Sequence, residues 1–147
     1  LLLQGLETLS LRMERHVENA QKVAEFLAAH DQVETVNYAG LAASPWNGRV
    51  AQYTPRGAGS VPSFVIKGGR EAGEKFANAL VLHSQLANIG DVRSLVVHPS
   101  STTHSQLSDA EQEAAGVSPG LVRLSVGIEH IDDILADLEI GFAAASS

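Results

Sequence analysis

The chain has 147 residues, 44% of them hydrophobic and 18% charged, which suits a single globular domain and excludes the low-hydrophobicity, high-charge signature of disorder. A formal net charge of −7, with seven arginines and three lysines scattered along the chain, excludes the basic face that a nucleic-acid partner requires. The absence of cysteine removes disulfides, thiolate zinc sites and a cysteine nucleophile; no apolar run is long enough for a membrane span and no signal peptide opens the chain, so a soluble, cytoplasmic protein is expected.

In residues 1–30, Leu2, Leu6, Leu9, Met13, Val17, Ala20, Ala24 and Leu27 recur at spacings of three and four and draw one stripe on a long helix. Glu7, Glu14, Glu18 and Lys22 take the opposite face, and Arg12, Arg15 and His16 read as solvated charge. The chain opens without methionine and with this periodicity already running, with no Ser, Thr or Asp cap before it, so it is expected to be part of a longer chain. "VETVNY" (33–38) reads as a strand. Residues 39–60, rich in glycine and proline, read as a long loop, a kind of segment that usually serves function or a partner surface. Its "GAGS" lacks the strand, spacing and helix of a phosphate-binding fingerprint.

Residues 61–147 hold the rest of the sheet and helices. "PSFVIK" (62–67) is a predicted strand, and "GGREAGEKFANALVL" a turn leading into a helix that buries Ala72, Phe76, Ala79 and Leu80. "SLVV" (94–97) is the next strand. "SDAE" (108–111) spells a capping box, with Gly116 placed to end the short helix in a left-handed conformation. "LVRLSVGI" (121–128) alternates as a strand; "IDDILADLEIGF" follows as a helix burying Ile131, Ile134, Leu135, Leu138 and Phe142. Asp132 and Asp133 lie in the first turn of that helix, where its dipole favours anions, and they need no catalytic role. Irregular alternation of strands, helices and loops implies an α+β fold: a small, mostly antiparallel sheet with helices packed on one face.

Three features carry candidate chemistry. In 121–128, Val122, Leu124, Val126 and Ile128 form one face, and Leu121, Arg123, Ser125 and Gly127 the other. Arg123 is a surface cation, a structural ion-pair partner, or a planar fork that grips a carboxylate bidentately. His98 and His104, six apart, supply two imidazoles, but no third ligand stands at a recognisable spacing, and no metal site is expected. Ser100, Ser101, Thr102 and Thr103 lack the elbow of a serine nucleophile and are suited to bonding nearby backbone groups after a strand.

Together, "RSLVVHPSSTTHSQLS" and "GLVRLSVGIEHIDDILADL" resemble the C-terminal domain of the cystathionine gamma-synthase-like enzymes of cysteine and methionine metabolism, which depend on pyridoxal 5'-phosphate. "GLETLSLRMERHVENAQKVAEFL" is similar to the helix that enters that domain, and "QYTPRGAGSVPSFVIKGG" leans toward members that join sulfide to O-acetylhomoserine. The resemblance covers essentially the whole chain. It implies the small domain of a fold-type I enzyme, preceded by a large cofactor-binding domain, in a homotetramer. It also implies that Arg123 holds the substrate α-carboxylate, with Asn88 and Ile89 beside it, and that Ser100, Ser101, Thr102 and Thr103 form a wall of the site. The family pattern commonly has serine, leucine and glycine where "NIG" (88–90) stands here. The family's cofactor-bearing lysine sits in a serine- and threonine-flanked motif; Lys22, Lys67 and Lys75 have no such setting, so this chain alone is expected to be inactive. A cystathionine gamma-synthase or gamma-lyase, or a non-catalytic interaction module, are the alternatives.

Overall fold

A computed structural model describes residues 1–147. Its sheet follows from where alternation of apolar residues is interrupted by turns. Strands β1 (Val33–Asn37), β2 (Ser63–Ile66), β3 (Ser84–Gln85), β4 (Leu95–Val97) and β5 (Leu121–Ser125) lie in the order β1-β2-β5-β4-β3. The first three pairings across this order are antiparallel, and β3 joins β4 in parallel. The expected α+β architecture is borne out, with β3 added as a strand too short to show a period.

Helices α2 (Leu9–Ala29), α4 (Gly69–Ala79) and α6 (Ile131–Ala145) cover one face of the sheet. Phe64 and Ile66 of β2, Val96 of β4, and Val122 and Leu124 of β5 point into that layer. They meet Ala20, Val23, Ala24 and Leu27 of α2, Phe76 of α4, and Ile134, Leu138 and Phe142 of α6. Phe64, Phe76 and Phe142 form a triangle of rings with centroids 4.8–5.9 Å apart, tilted or edge-on, the arrangement ring quadrupoles favour. Gly141 makes this possible, because a Cβ there would stand 2.7 Å from the Phe76 ring. In α4 the buried residues are Ala72, Gly73, Phe76 and Ala77, while the expected Ala79 and Leu80 are only partly covered.

The N-terminal region departs from expectation in two ways. The helix is interrupted at Thr8, which leaves α1 (Leu2–Glu7) with no buried residue; Leu2, Leu6, Leu9 and Met13 are exposed. Burial begins at His16, which was expected to be solvated. Its Nδ1–H donates to the Val126 carbonyl at 2.6 Å, and Asn19 donates to the carbonyls of Gly127 and Glu129 at 3.0 Å. Two polar side chains thus satisfy the carbonyls that β5 leaves unpaired as it runs out of the sheet. The second departure is α3 (Asn47–Tyr53), a two-turn helix within the expected loop 39–60. It buries nothing, and Asn47 holds it by donating to the carbonyls of Ala39 and Gly40.

A buried carboxylate and its hydrogen-bond donors fasten α6 to the chain leaving α4. The Asp137 carboxylate accepts from the backbone N–H groups of Val81 and His83 and from His83 Nδ1, the last at 2.7 Å. Burial pushes the Asp137 carboxyl up, but these donors outweigh it and hold the group below the usual range. Burial likewise lowers His83, whose Nε2 has no partner, so the ring is neutral with its proton on Nδ1.

Candidate functional site

The face of the sheet turned away from the helices is built differently. Ser63 of β2, Arg123 of β5 and Val97 of β4 lie side by side, because Arg123 is register partner to both neighbours. Alternation along β5 makes this unavoidable: with Val122 and Leu124 in the core, Arg123 must point the other way. An open cavity of about 410 Å³ lies over it, bordered by Ser63, Val97, Thr103, His104, Val117 and Arg123. Apolar walls with a few converging polar groups are the usual make-up of a small-molecule site.

Within this cavity the guanidinium is under-used. Arg123 Nη2 donates to the Asn88 carbonyl at 3.3 Å, and Nε is buried without a partner. Arg15, Arg70 and Arg93 each lie near a carboxylate, whereas Arg123 faces none. The loop 88–90 is tied to the same strand face at a second point, where Gly90 N–H donates to Ser125 Oγ at 3.3 Å. The structure therefore brings Asn88 to Arg123 through its main chain; its side-chain Oδ1 accepts from Ile89 N–H. Ile89 is exposed beside it.

The hydroxyl-rich segment after β4 splits in two. Thr103 borders the Arg123 cavity, and both Thr102 and Thr103 border a smaller neighbouring cavity of about 130 Å³. Ser100 and Ser101 turn inward: Ser100 Oγ donates to Gln112 Oε1 at 2.8 Å, and Ser101 Oγ lies 2.7 Å from His98 Nδ1. The expected wall of four hydroxyls is thereby narrowed to Thr102 and Thr103. A 3-10 turn over Pro99–Ser101 produces this division by winding the chain before Thr102.

His98 is an internal brace. Its Nε2 faces the Pro119 carbonyl at 2.8 Å, which can only accept, so Nε2 carries the proton and Nδ1 accepts from Ser101. Burial lowers its pKa, and the ring packs against α4 where Gly73 provides bare backbone. His104 shares a hydrogen bond with Thr103 Oγ1 through Nδ1. The two histidines thus serve different places, and no three His, Asp or Glu side chains converge anywhere in the chain.

Helix α5 (Asp109–Ala114) leads into Ala115, Gly116 and Val117, which border the cavity. Its expected capping box is present: Glu111 Oε2 accepts from Ser108 N–H at 2.8 Å. At its other end Gly116 takes φ +77°, and the N–H groups of Gly116 and Val117 reach back to Glu113 and Gln112. Gln112, which periodicity does not single out, is buried behind the cavity wall. A larger cavity of about 480 Å³, between α2 and residues 54–59, shares no residue with the one over Arg123.

A family model for the Cys/Met metabolism PLP-dependent enzymes matches residues 1–143. The chain belongs to that family. Among its members, the O-acetyl-L-homoserine sulfhydrylase of Corynebacterium glutamicum is 62% identical over 141 residues, which are 96% of this chain and 32% of that protein. The homocysteine synthase of Schizosaccharomyces pombe is 55% identical over 93% of this chain and 32% of its own length. The fold matches a cystathionine gamma synthase from Xanthomonas oryzae, solved in complex with cystathionine. The TM-score is 0.87 at 40% identity, with 98% of this chain and 37% of that one covered. The chain therefore spans about a third of the length of the relatives it matches.

The three lysines do not fit a covalent cofactor anchor. Lys22 pairs with Glu18, Lys75 with Glu71, and Lys67 donates to the Asp31 carbonyl; none borders the Arg123 cavity.

Proposed function

We propose that this chain is the substrate-carboxylate half of a pyridoxal-phosphate enzyme that converts O-acetylhomoserine and sulfide to homocysteine and acetate. The observation that carries the reading is Arg123: a guanidinium in an apolar-walled cavity, with a buried, unpartnered Nε and no acidic side chain against it. Such a group lacks a planar anion with two oxygens, and an amino-acid carboxylate supplies one. The Asn88 carbonyl restrains one edge of the fork and leaves the other free.

Pyridoxal phosphate, when bound, supplies an electron sink for bonds at the substrate's α-carbon. The contribution of this chain is orientation. Gripping the carboxylate at Arg123 fixes the rotation of the α-carbon, so that its proton and side chain take defined directions. Ile89 and Thr103 limit where the rest of the substrate can lie. The covalent lysine belongs to a large N-terminal domain of the parent, so this chain alone does not turn over substrate. The parent works as a cytoplasmic homotetramer. Relatives named as O-acetyl-L-homoserine sulfhydrylases stand at 52–62% identity and those named as L-methionine gamma-lyases at 46–47%, which favours sulfide addition over elimination alone.

The test is acetate release from O-acetylhomoserine by the full-length protein, with sulfide as acceptor, giving homocysteine, or with cysteine, giving cystathionine. Sulfide is expected to be preferred; preference for cysteine would instead indicate a cystathionine synthase. Arg123→Lys should raise KM for O-acetylhomoserine and lower kcat/KM roughly tenfold or more, as expected for loss of a bidentate, charge-assisted contact. Unchanged kinetics would remove the carboxylate assignment.

A further inference from the structure

We propose that Gln112, which does not border the cavity, is a positioning residue for carboxylate recognition. From α5 it fixes the loop that sets Thr103 and His104 against Arg123. The inference rests on the reading of the Arg123 cavity given above.

The loop 98–107 lies outside the sheet, and its shape comes from a 3-10 turn and successive turn hydrogen bonds, among them His104 N–H to the Pro99 carbonyl at 2.9 Å and Leu107 N–H to the His104 carbonyl at 3.0 Å. Thr103, which borders the same cavity as Arg123, makes no main-chain hydrogen bond of its own. Its position is therefore inherited from the neighbours on either side. On the N-terminal side the brace is His98, held between Ser101 and the Pro119 carbonyl, with Thr102 Oγ1 donating back to the His98 carbonyl at 2.8 Å. On the C-terminal side it is Gln112.

The Gln112 amide is fully used. Oε1 accepts from Ser100 Oγ at 2.8 Å, and Nε2 donates to the carbonyls of His104 at 2.9 Å and Leu107 at 3.2 Å. One side chain thus joins three points of the loop, and both it and Ser100 are shielded from water, which cannot take its place. Gln112 is itself immobile because α5 is fixed at both ends, by the Ser108–Glu111 box and by the Gly116 turn. An amide is required here: a carboxylate would oppose the two carbonyls, and an aliphatic side chain would leave the Leu107 carbonyl and the Ser100 hydroxyl without these partners, and the His104 carbonyl with only the Leu107 N–H.

The experiment compares two inhibitors on the full-length holoenzyme: norvaline, and butylamine, which has the same skeleton without the carboxylate. The ratio of their inhibition constants reads the carboxylate's contribution, which loss of active protein leaves unchanged. Gln112→Leu should reduce the preference for norvaline roughly tenfold, the scale of one lost buried hydrogen bond to a charged group, with butylamine unaffected. Ser100→Ala, which removes only one donor and keeps the fold intact if Gln112→Leu does not, should shift the ratio in the same direction by about threefold. Equal weakening of both inhibitors by these variants would mean a general structural role and overturn the inference. So would an unchanged ratio in both, provided Arg123→Lys abolishes the preference. If Arg123→Lys itself leaves the preference intact, the carboxylate reading fails and the positioning role falls with it.

Discussion

The two faces of the sheet solve different problems with the same strands. On the helix side, apolar residues at regular spacing meet three helices, and Phe64, Phe76 and Phe142 fill the space between them. On the other side, Arg123, Ser63 and Ser125 are covered by loops whose shape is held by His98, Gln112 and the 88–90 contacts. One face is held by area removed from water, the other by individual hydrogen bonds. The lesson is that stability and recognition are separable within a strand five residues long, since alternate residues belong to different layers.

That separation can be broken most forcefully in the core. Phe142→Ala should cost about 3–5 kcal/mol in urea unfolding, because the emptied site touches the rings of Phe64 on β2 and Phe76 on α4, which the sheet and the helix hold in place. Its effect on the norvaline preference of the folded fraction should be negligible. Asp137→Ala follows at about 3 kcal/mol, since it strands two backbone N–H groups and the buried His83 ring.

Acid probes both faces at once. His83 on the helix side and His98 on the site side each have a pKa lowered by burial, so the unfolded chain binds more protons than the folded one. Stability from both is complete above the unfolded value of about 6.5 and declines as pH falls below it, by up to about 1.4 kcal/mol per pH unit for each ring. Asp137, held low, adds a further loss only as pH falls below about 3.9. Urea midpoints measured from pH 7 to pH 5 should decline accordingly, and His98→Gln should remove about half of the slope. A flat profile would mean that the rings are not buried in neutral form.

Smaller effects sharpen the contrast. Ser108→Ala removes half of the capping box and should cost about 1 kcal/mol. Arg123→Lys should change stability by no more than about 0.5 kcal/mol while reducing kcat/KM, because Arg123 forms one long hydrogen bond and no ion pair. Thermal melts of the two variants side by side would show whether function and stability part at this strand as described.

What could be read in the sequence reflects the same division. The helices and most strands were legible because one face of each is apolar at a regular period, and the capping box because it is local. Arg123 was legible as a cation in an alternating strand. His16 was misjudged because residue type says nothing of a carbonyl that lies 110 positions away in the chain. Leu2 to Met13 obeyed the period yet stand exposed, so a pattern shows which face is apolar without showing what covers it. The α3 helix was hidden by turn-forming residues around it, and β3 by its length. Gln112 left no local mark because its partners are main-chain carbonyls, which every sequence has.

Strand β5 also sets how this protein can change length. Insertions and deletions should be tolerated where the chain is exposed and unladdered, as around residues 41–45. A single residue gained or lost within 121–125 would exchange the two layers, turning the guanidinium toward the phenylalanine cluster and valine toward the cavity. Core and binding group are therefore inherited as one unit, and variation in chain length among proteins built this way should fall outside these five residues.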